Sequence, residues 1–202
     1  MGALLADNRL SEANYLAGEK VSEIKHEYID GVVRAMSGGS AGHSAVATNF
    51  VGFTTGKLAG SPCRPFNSDL AIRYSTDDKR RYYYPDASVV CGSVDLSESF
   101  VHNPVIILEV LSPSTRANDE TAKKADYLAL PSTKVLILAE SETVFCNVYR
   151  KSAEGVFYEG YSKLSDTIQL PEVGIKLTLA ELYDGLDLDG EEGEGLPESL
   201  TE

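Results

Sequence analysis

The sequence has little of what marks several common classes of protein. Its three cysteines, Cys63, Cys91 and Cys146, are too few and too widely spaced to predict a disulfide framework or a zinc site, so we expect reduced thiols in the core. No apolar run approaches the roughly 18 residues of a membrane span. The initial segment MGALLADNRL has neither the basic start nor the long apolar middle of a secretory signal. We therefore predict a cytoplasmic protein without a membrane span.

Basic residues are also scarce, with 18 Lys and Arg against 31 Asp and Glu and a net charge of −13. Nucleic-acid binders usually have a basic surface instead. Eight of the negative charges lie in residues 182–202, which contain no Lys or Arg, so the rest of the chain carries −5. A glycine-rich acidic end is typical of a disordered tail and only occasionally competes for a basic surface. We predict one domain over residues 1–187 and a tail over 188–202.

The predicted elements indicate a mixed α/β (α+β) fold, with a central mixed β-sheet flanked by helices. Asp30 and Gly31 between two apolar runs predict a hairpin, while Val46, Phe50 and Phe53 recur at helical spacing. In chain order, the elements are a short helix in SEANYLAGEK, the hairpin in HEYIDGVVRAM, a helix from Ser40 to about Leu58, strands in CRPFNSDLAIRY, RYYYPDASVVCG and PVIILEVL, a helix in STRANDETAKKADYLAL that ends before Pro131, a buried strand in KVLILAE, an antiparallel meander from VFCNVYRK to TIQLPEVGIKLTL, and a helical turn around Leu179 to Tyr183.

Two carboxylates lie on strand segments that are consecutive in the sequence. Asp86 follows Pro85 at the start of an apolar strand, and Glu109 follows the buried run 105–108 near the end of the next strand. A charge at the end of a buried strand requires a partner, a metal ion or a catalytic role. If the strands are adjacent in the sheet, both carboxylates can bind one hard divalent cation, for which Mg²⁺ and Mn²⁺ are the candidates.

Each acid also has a structural explanation. Pro-Asp is a common turn dipeptide, so Asp86 alone is more often a turn residue. Glu109 can cap the backbone amides of the following SPST segment or pair with a surface lysine. Glu27 in KHEYIDG is a third candidate, although a glutamate on a hairpin strand is usually solvated. Together, Asp86 and Glu109 favour a site, but spacing alone does not place Glu27 in it.

Several segments together resemble the Uma-type family of bacterial restriction endonuclease-like proteins. They are EYIDGVVRAMSGGSAGH, SDLAIRY, YYYPDASVVCG, PVIILEVLSPST, KKADYLALPSTKVLIL and IQLPEVGIKLTLAELYDG. The similarity covers roughly residues 10 to 187, and EVLSPST is its most specific part. It implies the PD-(D/E)XK nuclease fold and a Mg²⁺- or Mn²⁺-dependent endonuclease that acts on DNA, with its active site in the PD and EVLSPST segments.

The resemblance implies roles for individual residues. Asp86 and Glu109 match the two metal-binding acids, and Glu27 matches a glutamate that adds to the site. The backbone carbonyl of Val110 would also bind the metal ion.

The lysine of the general motif is missing from its usual position, which Leu111 occupies. In this family it has moved to the next helix, four residues before a tyrosine, which implies Lys123 and Tyr127. Helical spacing does not exclude the adjacent Lys124, and paired lysines on a helix are usually solvated. The choice of Lys123 therefore comes from the resemblance.

His43 and Asp69 also fall in segments that resemble the family, SAGHS and NSDLAIRY. A lone histidine near the start of a helix more often caps the helix or packs in the core than takes part in catalysis. We treat both residues as candidates that support the metal-binding acids without binding the ion.

The predicted function is metal-dependent hydrolysis of DNA phosphodiester bonds. Asp86 and Glu109 would hold the ion, Glu27 would support the site, and Lys123 would orient or deprotonate the attacking water. Two alternatives stay open at this point. One is a non-catalytic binding or assembly module on the same fold, and the other is a metal-dependent hydrolase of another phosphate ester, which the acidic composition would suit better.

Two groups of residues bear on the partners. The run Tyr82 to Tyr84 offers an apolar patch for a homodimer, because many nucleases of this fold cut both strands as symmetric dimers. A local basic groove for DNA is compatible with the net charge. The residues that could line it are Arg73, Lys79, Arg80, Arg81 and Arg116.

Overall fold

The computed structural model describes residues 9–112, 116 and 119–188. The predicted tail, apart from its first residue, and part of the helix predicted in STRANDETAKKADYLAL lie outside these residues. The helices are α1 (Glu12–Glu19), α2 (Ala41–Lys57), α3 (Lys124–Ala129) and α4 (Leu179–Leu182), and a π-helical turn at Asp119–Lys123 precedes α3. The strands are β1 (His26–Ile29), β2 (Val32–Ala35), β3 (Cys63–Asn67), β4 (Ala71–Ser75), β5 (Arg80–Tyr83), β6 (Ala87–Cys91), β7 (Phe100–Val101), β8 (Pro104–Leu111), β9 (Val135–Glu140), β10 (Cys146–Ser152), β11 (Gly155–Tyr161), β12 (Thr167–Leu170) and β13 (Ile175–Thr178). Across the described ranges, we find no helix with the length and apolar character that a membrane span requires.

Local sequence signals explain the first elements of the fold. Asp30 and Gly31 have φ angles of 50° and 97°, the left-handed conformation that a two-residue turn between β1 and β2 requires. Ser11 and Ser40 cap α1 and α2, since each side chain accepts a hydrogen bond from a backbone amide of the first turn. The predicted hairpin and the first two predicted helices are therefore confirmed.

A mixed six-stranded sheet, in the order β11-β10-β9-β8-β6-β3, forms the centre of the fold. β8 and β9 are parallel and the other pairs are antiparallel. β6 is the direct neighbour of β8, with Ala87 opposite Leu108. The two strand segments that carry Asp86 and Glu109 are thus adjacent, which is the condition under which one cation could bind both carboxylates.

Alternate residues of β8 point to opposite faces of this sheet. Ile106, Leu108 and Val110 pack in one core with Val46 and Phe50 of α2.

The other face of β8 packs against α3. Ile107 and Leu111 lie in a second core with Tyr127, and Glu109 lies between them in the strand, so its side chain belongs to this face. Helices therefore cover both faces of the central sheet, which confirms the predicted fold class.

Two segments that we predicted as single strands are each divided between two sheets. CRPFNSDLAIRY forms β3 and β4, while RYYYPDASVVCG forms β5 and β6. β4 and β5 belong to a five-stranded sheet, in the order β2-β1-β5-β4-β7. The second break falls at Pro85 and Asp86, because proline has no N–H group for the strand ladder. The predicted meander also divides, with β10 and β11 in the central sheet and β12 and β13 in a separate pair.

The cysteine prediction is wrong in part. Cys63 lies directly opposite Cys91 in the antiparallel pair of β3 and β6, and the two residues form a disulfide. Strand register brings them together, and their spacing in the sequence does not reveal it. Cys146 is a free thiol in the core, as expected.

The predicted apolar surface patch is also wrong. Tyr82, Tyr83 and Tyr84 are only 1%, 0% and 5% exposed. β5 is an inner strand, so one face packs under Tyr15 of α1 while the other packs against Tyr127 of α3. A homodimer stays a prediction, but this run of tyrosines cannot be its interface.

Candidate active site

Residues from β8, from α2, from the π-helical turn and from the segment between β5 and β6 meet at one cavity of about 250 Å³. Asp86 lies at the passage from β5 to β6, Glu109 and Val110 lie near the end of β8, and Lys123 ends the π-helical turn. These four residues and His43 line the cavity. The fold therefore collects side chains that are far apart in the sequence.

Lys123 is the centre of the charged cluster. Its Nζ lies 2.9 Å from Glu27 Oε1, 3.1 Å from Glu109 Oε1 and 3.2 Å from Asp119 Oδ1. Lys123 is 5% exposed, and an ammonium has three donors to share among three carboxylates. Burial opposes its charge, but Glu109, Glu27 and Asp119 outweigh burial and raise the pKa of Lys123 well above its usual value.

Glu109 is buried on the face of the central sheet that packs against α3. Its Oε1 also accepts a hydrogen bond of 2.8 Å from the Tyr127 hydroxyl. Burial raises the pKa of the Glu109 carboxyl well above its usual range, and the Lys123 ammonium opposes that shift. Additional positive charge in the cavity would therefore favour the ionised form of Glu109.

Asp86 is held through both of its carboxylate oxygens. Oδ1 lies 2.7 Å from His43 Nε2, and Oδ2 accepts a 2.7 Å hydrogen bond from the Val110 backbone N–H. The hydrogen bond to Asp86 raises the pKa of His43. His43 thus lies beside a predicted metal-binding acid, and the backbone of Val110 joins Asp86 to β8.

Gly39 allows the His43 ring to take this position. A Cβ atom on Gly39 would lie 2.8 Å from the imidazole, closer than real side chains approach. At the adjacent Gly38, an added Cβ would meet nothing within 4 Å. The close approach of backbone and ring therefore requires glycine at position 39 but not at 38.

The structure does not bring every predicted residue into this cluster. Asp69 is exposed and pairs with Lys25, with 2.9 Å between Oδ1 and Nζ. Lys124 points elsewhere, with its Nζ 4.8 Å from the centre of the Tyr149 ring. Leu111 is buried in the second core.

Sequence reasoning missed the acid Asp119, which is 3% exposed and pairs with Lys123. Its spacing of four residues from Lys123 is the signal that could have found it. It also missed Asp126, which is buried and binds Arg81 Nη1 at 2.5 Å and the Tyr83 hydroxyl at 2.7 Å. No sequence signal pointed to that network.

The arginines of the predicted basic groove are already paired with carboxylates. Arg73 and Arg80 pair with Glu12, Arg81 pairs with Asp30 and Asp126, and Arg116 pairs with Glu120 and Glu140. These four arginines, which could have lined a basic groove, therefore do not supply uncompensated positive charge for one.

The oxygen donors around the cavity fit a hard divalent cation. The residues that the structure describes contain no cluster of three or more His, Cys, Asp and Glu side chains arranged to hold a metal ion. Asp86, Glu109 and Val110 nevertheless line the cavity together. Mg²⁺ commonly takes one or two carboxylates and fills its other positions with water and substrate phosphate, so this donor set fits Mg²⁺ or Mn²⁺.

The comparison with known families agrees with the resemblance in the sequence. The model of the Uma2 family, described as "Putative restriction endonuclease", matches residues 13–180. The chain belongs to the Uma2 family. The Uma2 match contains Glu27, Asp86, Glu109 and Lys123, and membership supports a nuclease-like role.

The chain is also similar to individual proteins and to a solved structure. Two uncharacterized proteins of Synechocystis sp. are similar, one 34% identical over 88% of this chain and 93% of the relative, the other 29% identical over 78% and 82%. A crystal structure described as a "putative nuclease belonging to DUF820" from Anabaena variabilis matches with a TM-score of 0.66 and 19% identity, over 80% of this chain and 91% of that one. At this identity the match establishes a shared fold for this Uma2 protein.

Proposed function

We propose that this protein is a metal-dependent endonuclease that hydrolyses DNA phosphodiester bonds, with Asp86, Glu109 and the Val110 carbonyl as ligands of Mg²⁺ or Mn²⁺. The observation that carries the proposal is the buried Lys123, in contact with Glu27 and Glu109 beside the cavity that Asp86 lines. Burying charged groups is costly, and strongly perturbed groups in a cleft are typical of functional sites. Family membership supports the same class of activity.

The protein's own residues would position the reacting groups. When bound, the ion would polarise the phosphate and lower the pKa of the attacking water. Lys123, with its raised pKa, stays protonated near neutral pH, so it can donate hydrogen bonds but cannot accept a proton. We therefore assign it the neutralisation of phosphate charge and, where a metal ion on Glu109 would free one of its three donors, the orientation of water, rather than deprotonation.

Two further residues would hold the metal-binding acids in place. Tyr127 fixes one oxygen of Glu109, and His43 fixes one oxygen of Asp86. Both contacts limit the rotation of the carboxylates, which favours a preformed site.

The direct test is cleavage of plasmid DNA with Mg²⁺, with Mn²⁺ and with EDTA. We expect cleavage only with a divalent ion, and its loss in Asp86→Asn and Glu109→Gln. A parent protein that binds the ion but cleaves no plasmid, single strand or RNA would instead be a non-catalytic module. The homodimer stays a prediction, and light scattering at micromolar concentration measures the oligomeric state. The cytoplasmic location is likewise a prediction.

A second candidate function is the hydrolysis of a smaller phosphate ester. The paired arginines and the net charge of −13 favour it, because both weaken attraction to long DNA. Small phosphodiesters in the same assay distinguish the two functions. Turnover of these esters without any DNA cleavage would select this second function.

A further inference from the structure

The strand β11 lies at one edge of the central sheet, where β10 is its neighbour. It is 7 residues long, and its side chains Val156, Phe157 and Tyr158 are 51%, 54% and 69% exposed. It contains no proline or lysine, the residues with which proteins commonly protect an edge strand from pairing. The strand at the opposite edge, β3, contains Pro65. β11 is therefore the edge of this sheet that is open to another strand.

The backbone of β11 presents the N–H and C=O groups of alternate residues to solvent. Lys151 N–H donates to the Lys134 carbonyl on the β9 side of β10, so the adjacent Arg150 directs its backbone groups toward β11. Arg150 lies opposite Phe157, whose backbone groups therefore point to β10. The residues of β11 whose backbone groups point away from the sheet are Val156, Tyr158 and Gly160.

These outward groups are complementary to the same groups of a second copy. If Tyr158 of one copy lies opposite Tyr158 of the other in an antiparallel pair, β11 pairs over its whole length, with Gly155 opposite Tyr161. Val156 then lies opposite Gly160, so each outward N–H and C=O group finds a partner. A two-fold pair of this kind is closed, whereas a head-to-tail contact would continue into a filament.

The same register brings opposite charges together. Glu154, in the turn between β10 and β11, would lie beside Lys163 of the second copy, which follows β11 in the chain. Both residues are exposed, and the two-fold axis repeats the pair. Residues 146–161 contain two basic and two acidic residues, so this hairpin is neutral although the chain carries −13. Charge therefore favours a second copy of the chain at this edge.

The exposed area predicts a weak dimer. Since an aromatic side chain has roughly 150–250 Å² of surface, the exposed fractions of Phe157 and Tyr158 leave roughly 250 Å² in each copy. These side chains would thus supply about half of the roughly 1,000 Å² that a specific interface requires, and the paired backbones and flanking residues add to it. An interface near this lower limit is expected to have a micromolar dissociation constant.

We propose that the β11 edge pairs with the β11 edge of a second copy, which joins the two central sheets into one sheet and forms a homodimer. This interface takes the place of the buried tyrosine run 82–84. Glu109 lies on β8, and β9 and β10 separate β8 from β11, so the interface does not include the candidate active site. The proposal therefore does not depend on the endonuclease function.

Sedimentation equilibrium of the full chain, at about 1–300 µM, measures the association. We expect the parent to pass from monomer to dimer. Tyr158→Lys should weaken association at least about tenfold, because it places two ammonium groups opposite each other at the axis. Val32→Lys is the control, since it adds a lysine at a residue that is 50% exposed on β2, an edge of the other sheet. A parent that stays monomeric throughout, or a Tyr158→Lys variant that associates like the parent, would overturn the proposal.

Charge exchange between Glu154 and Lys163 tests the register. Glu154→Lys and Lys163→Glu should each weaken association about tenfold, because both attractive pairs become pairs of like charge. An equimolar mixture of the two variants should associate as tightly as the parent, since a dimer with one copy of each has opposite charges in both pairs. A mixture that associates no better than its components would overturn the two-fold pairing of β11.

Discussion

Lys123 Nζ lies 3.1 Å from Glu109 Oε1, although one residue ends a helical turn and the other belongs to a strand. In the general motif, the lysine follows the acid by two residues on the same strand. Leu111 occupies that position, where it is buried on the same face of β8 as Glu109. The ammonium thus reaches the acid from the neighbouring helix, which is the arrangement that the resemblance implied.

Lys123→Ala should lower the rate of DNA cleavage by about a hundredfold or more, the usual scale for removing one charge-stabilising group. Lys124→Ala is the control, because its side chain lies over Tyr149 and outside the cluster. Initial rates with saturating Mg²⁺ measure the effect. Cleavage by Lys123→Ala at the parent rate would show that Lys123 does not replace the lysine of the general motif.

The same substitution should also destabilise the protein. From the sequence alone we would expect the fold to be unaffected, but Lys123 separates three carboxylates, all of them buried with it. Removing one partner of a buried ion pair costs about 3–5 kcal/mol, so the melting temperature should fall in EDTA. Mg²⁺ should reverse part of this fall in melting temperature, because the ion supplies positive charge near the carboxylates.

Placing the lysine back on the strand is a more demanding test. Leu111→Lys in the Lys123→Ala background would bring an ammonium to the Glu109 face of β8. Partial recovery of cleavage would support the hypothesis that Lys123 replaces the lysine of the general motif. A lack of recovery decides nothing, because Leu111 is 1% exposed and a lysine there disrupts packing.

Mg²⁺ or Mn²⁺ should raise the melting temperature of the parent protein, because a ligand that binds only the folded state stabilises it by mass action. Asp86→Asn should remove this shift. Asp69→Asn makes the same chemical change at an exposed acid outside the cavity, so it should keep the shift. Thermal unfolding at increasing metal concentration measures all three proteins. An undiminished shift in Asp86→Asn would place the ion elsewhere.

Gly39→Ala should lower cleavage by about tenfold, since a small displacement of a positioned group is costly in catalysis. The added methyl would collide with the His43 ring and disturb its contact with Asp86. Gly38→Ala is the matched control, because space is open there. Comparable rates for both variants would mean that the position of His43 is unimportant for the reaction.

Local sequence patterns predicted those parts of the fold that depend on neighbouring residues. The Asp30-Gly31 turn and the first two helices need only neighbouring residues, and the structure has all of them. The assignment of strands to sheets was not predictable in this way. Segments on either side of Pro85 look continuous in the sequence, but they join different sheets through long-range pairing.

In the candidate site, too, some residues could be predicted from the local sequence and others could not. Asp86 and Glu109 were identified because acids beside buried strands are unusual, whereas Lys123 required a family resemblance. The spacing of Asp119 from Lys123 is compatible with an ion pair, but the burial of Asp119 depends on the packing of the helical turn against other elements and could not be predicted locally. The disulfide of Cys63 and Cys91 likewise depends on the register of two strands.

The Tyr127 hydroxyl allows catalytic and structural effects to be separated. It donates to Glu109 Oε1 at 2.8 Å, while the Tyr83 hydroxyl donates to Asp126 Oδ2 at 2.7 Å. Both tyrosines are fully buried, and each acid keeps a cationic partner, Lys123 or Arg81, when the hydroxyl is removed.

Tyr127→Phe and Tyr83→Phe should therefore lower the free energy of unfolding by similar amounts, about 1–3 kcal/mol for a hydrogen bond to a buried carboxylate. Only Tyr127→Phe removes a hydrogen bond from an acid of the proposed metal site. Only this variant should therefore also lower the rate of cleavage, by about tenfold. It should also show a smaller rise in melting temperature with Mg²⁺. Denaturant unfolding and cleavage rates, measured on both variants, separate the two effects. If both variants lose stability and neither loses activity, the Tyr127 hydroxyl stabilises the fold without positioning Glu109 for catalysis.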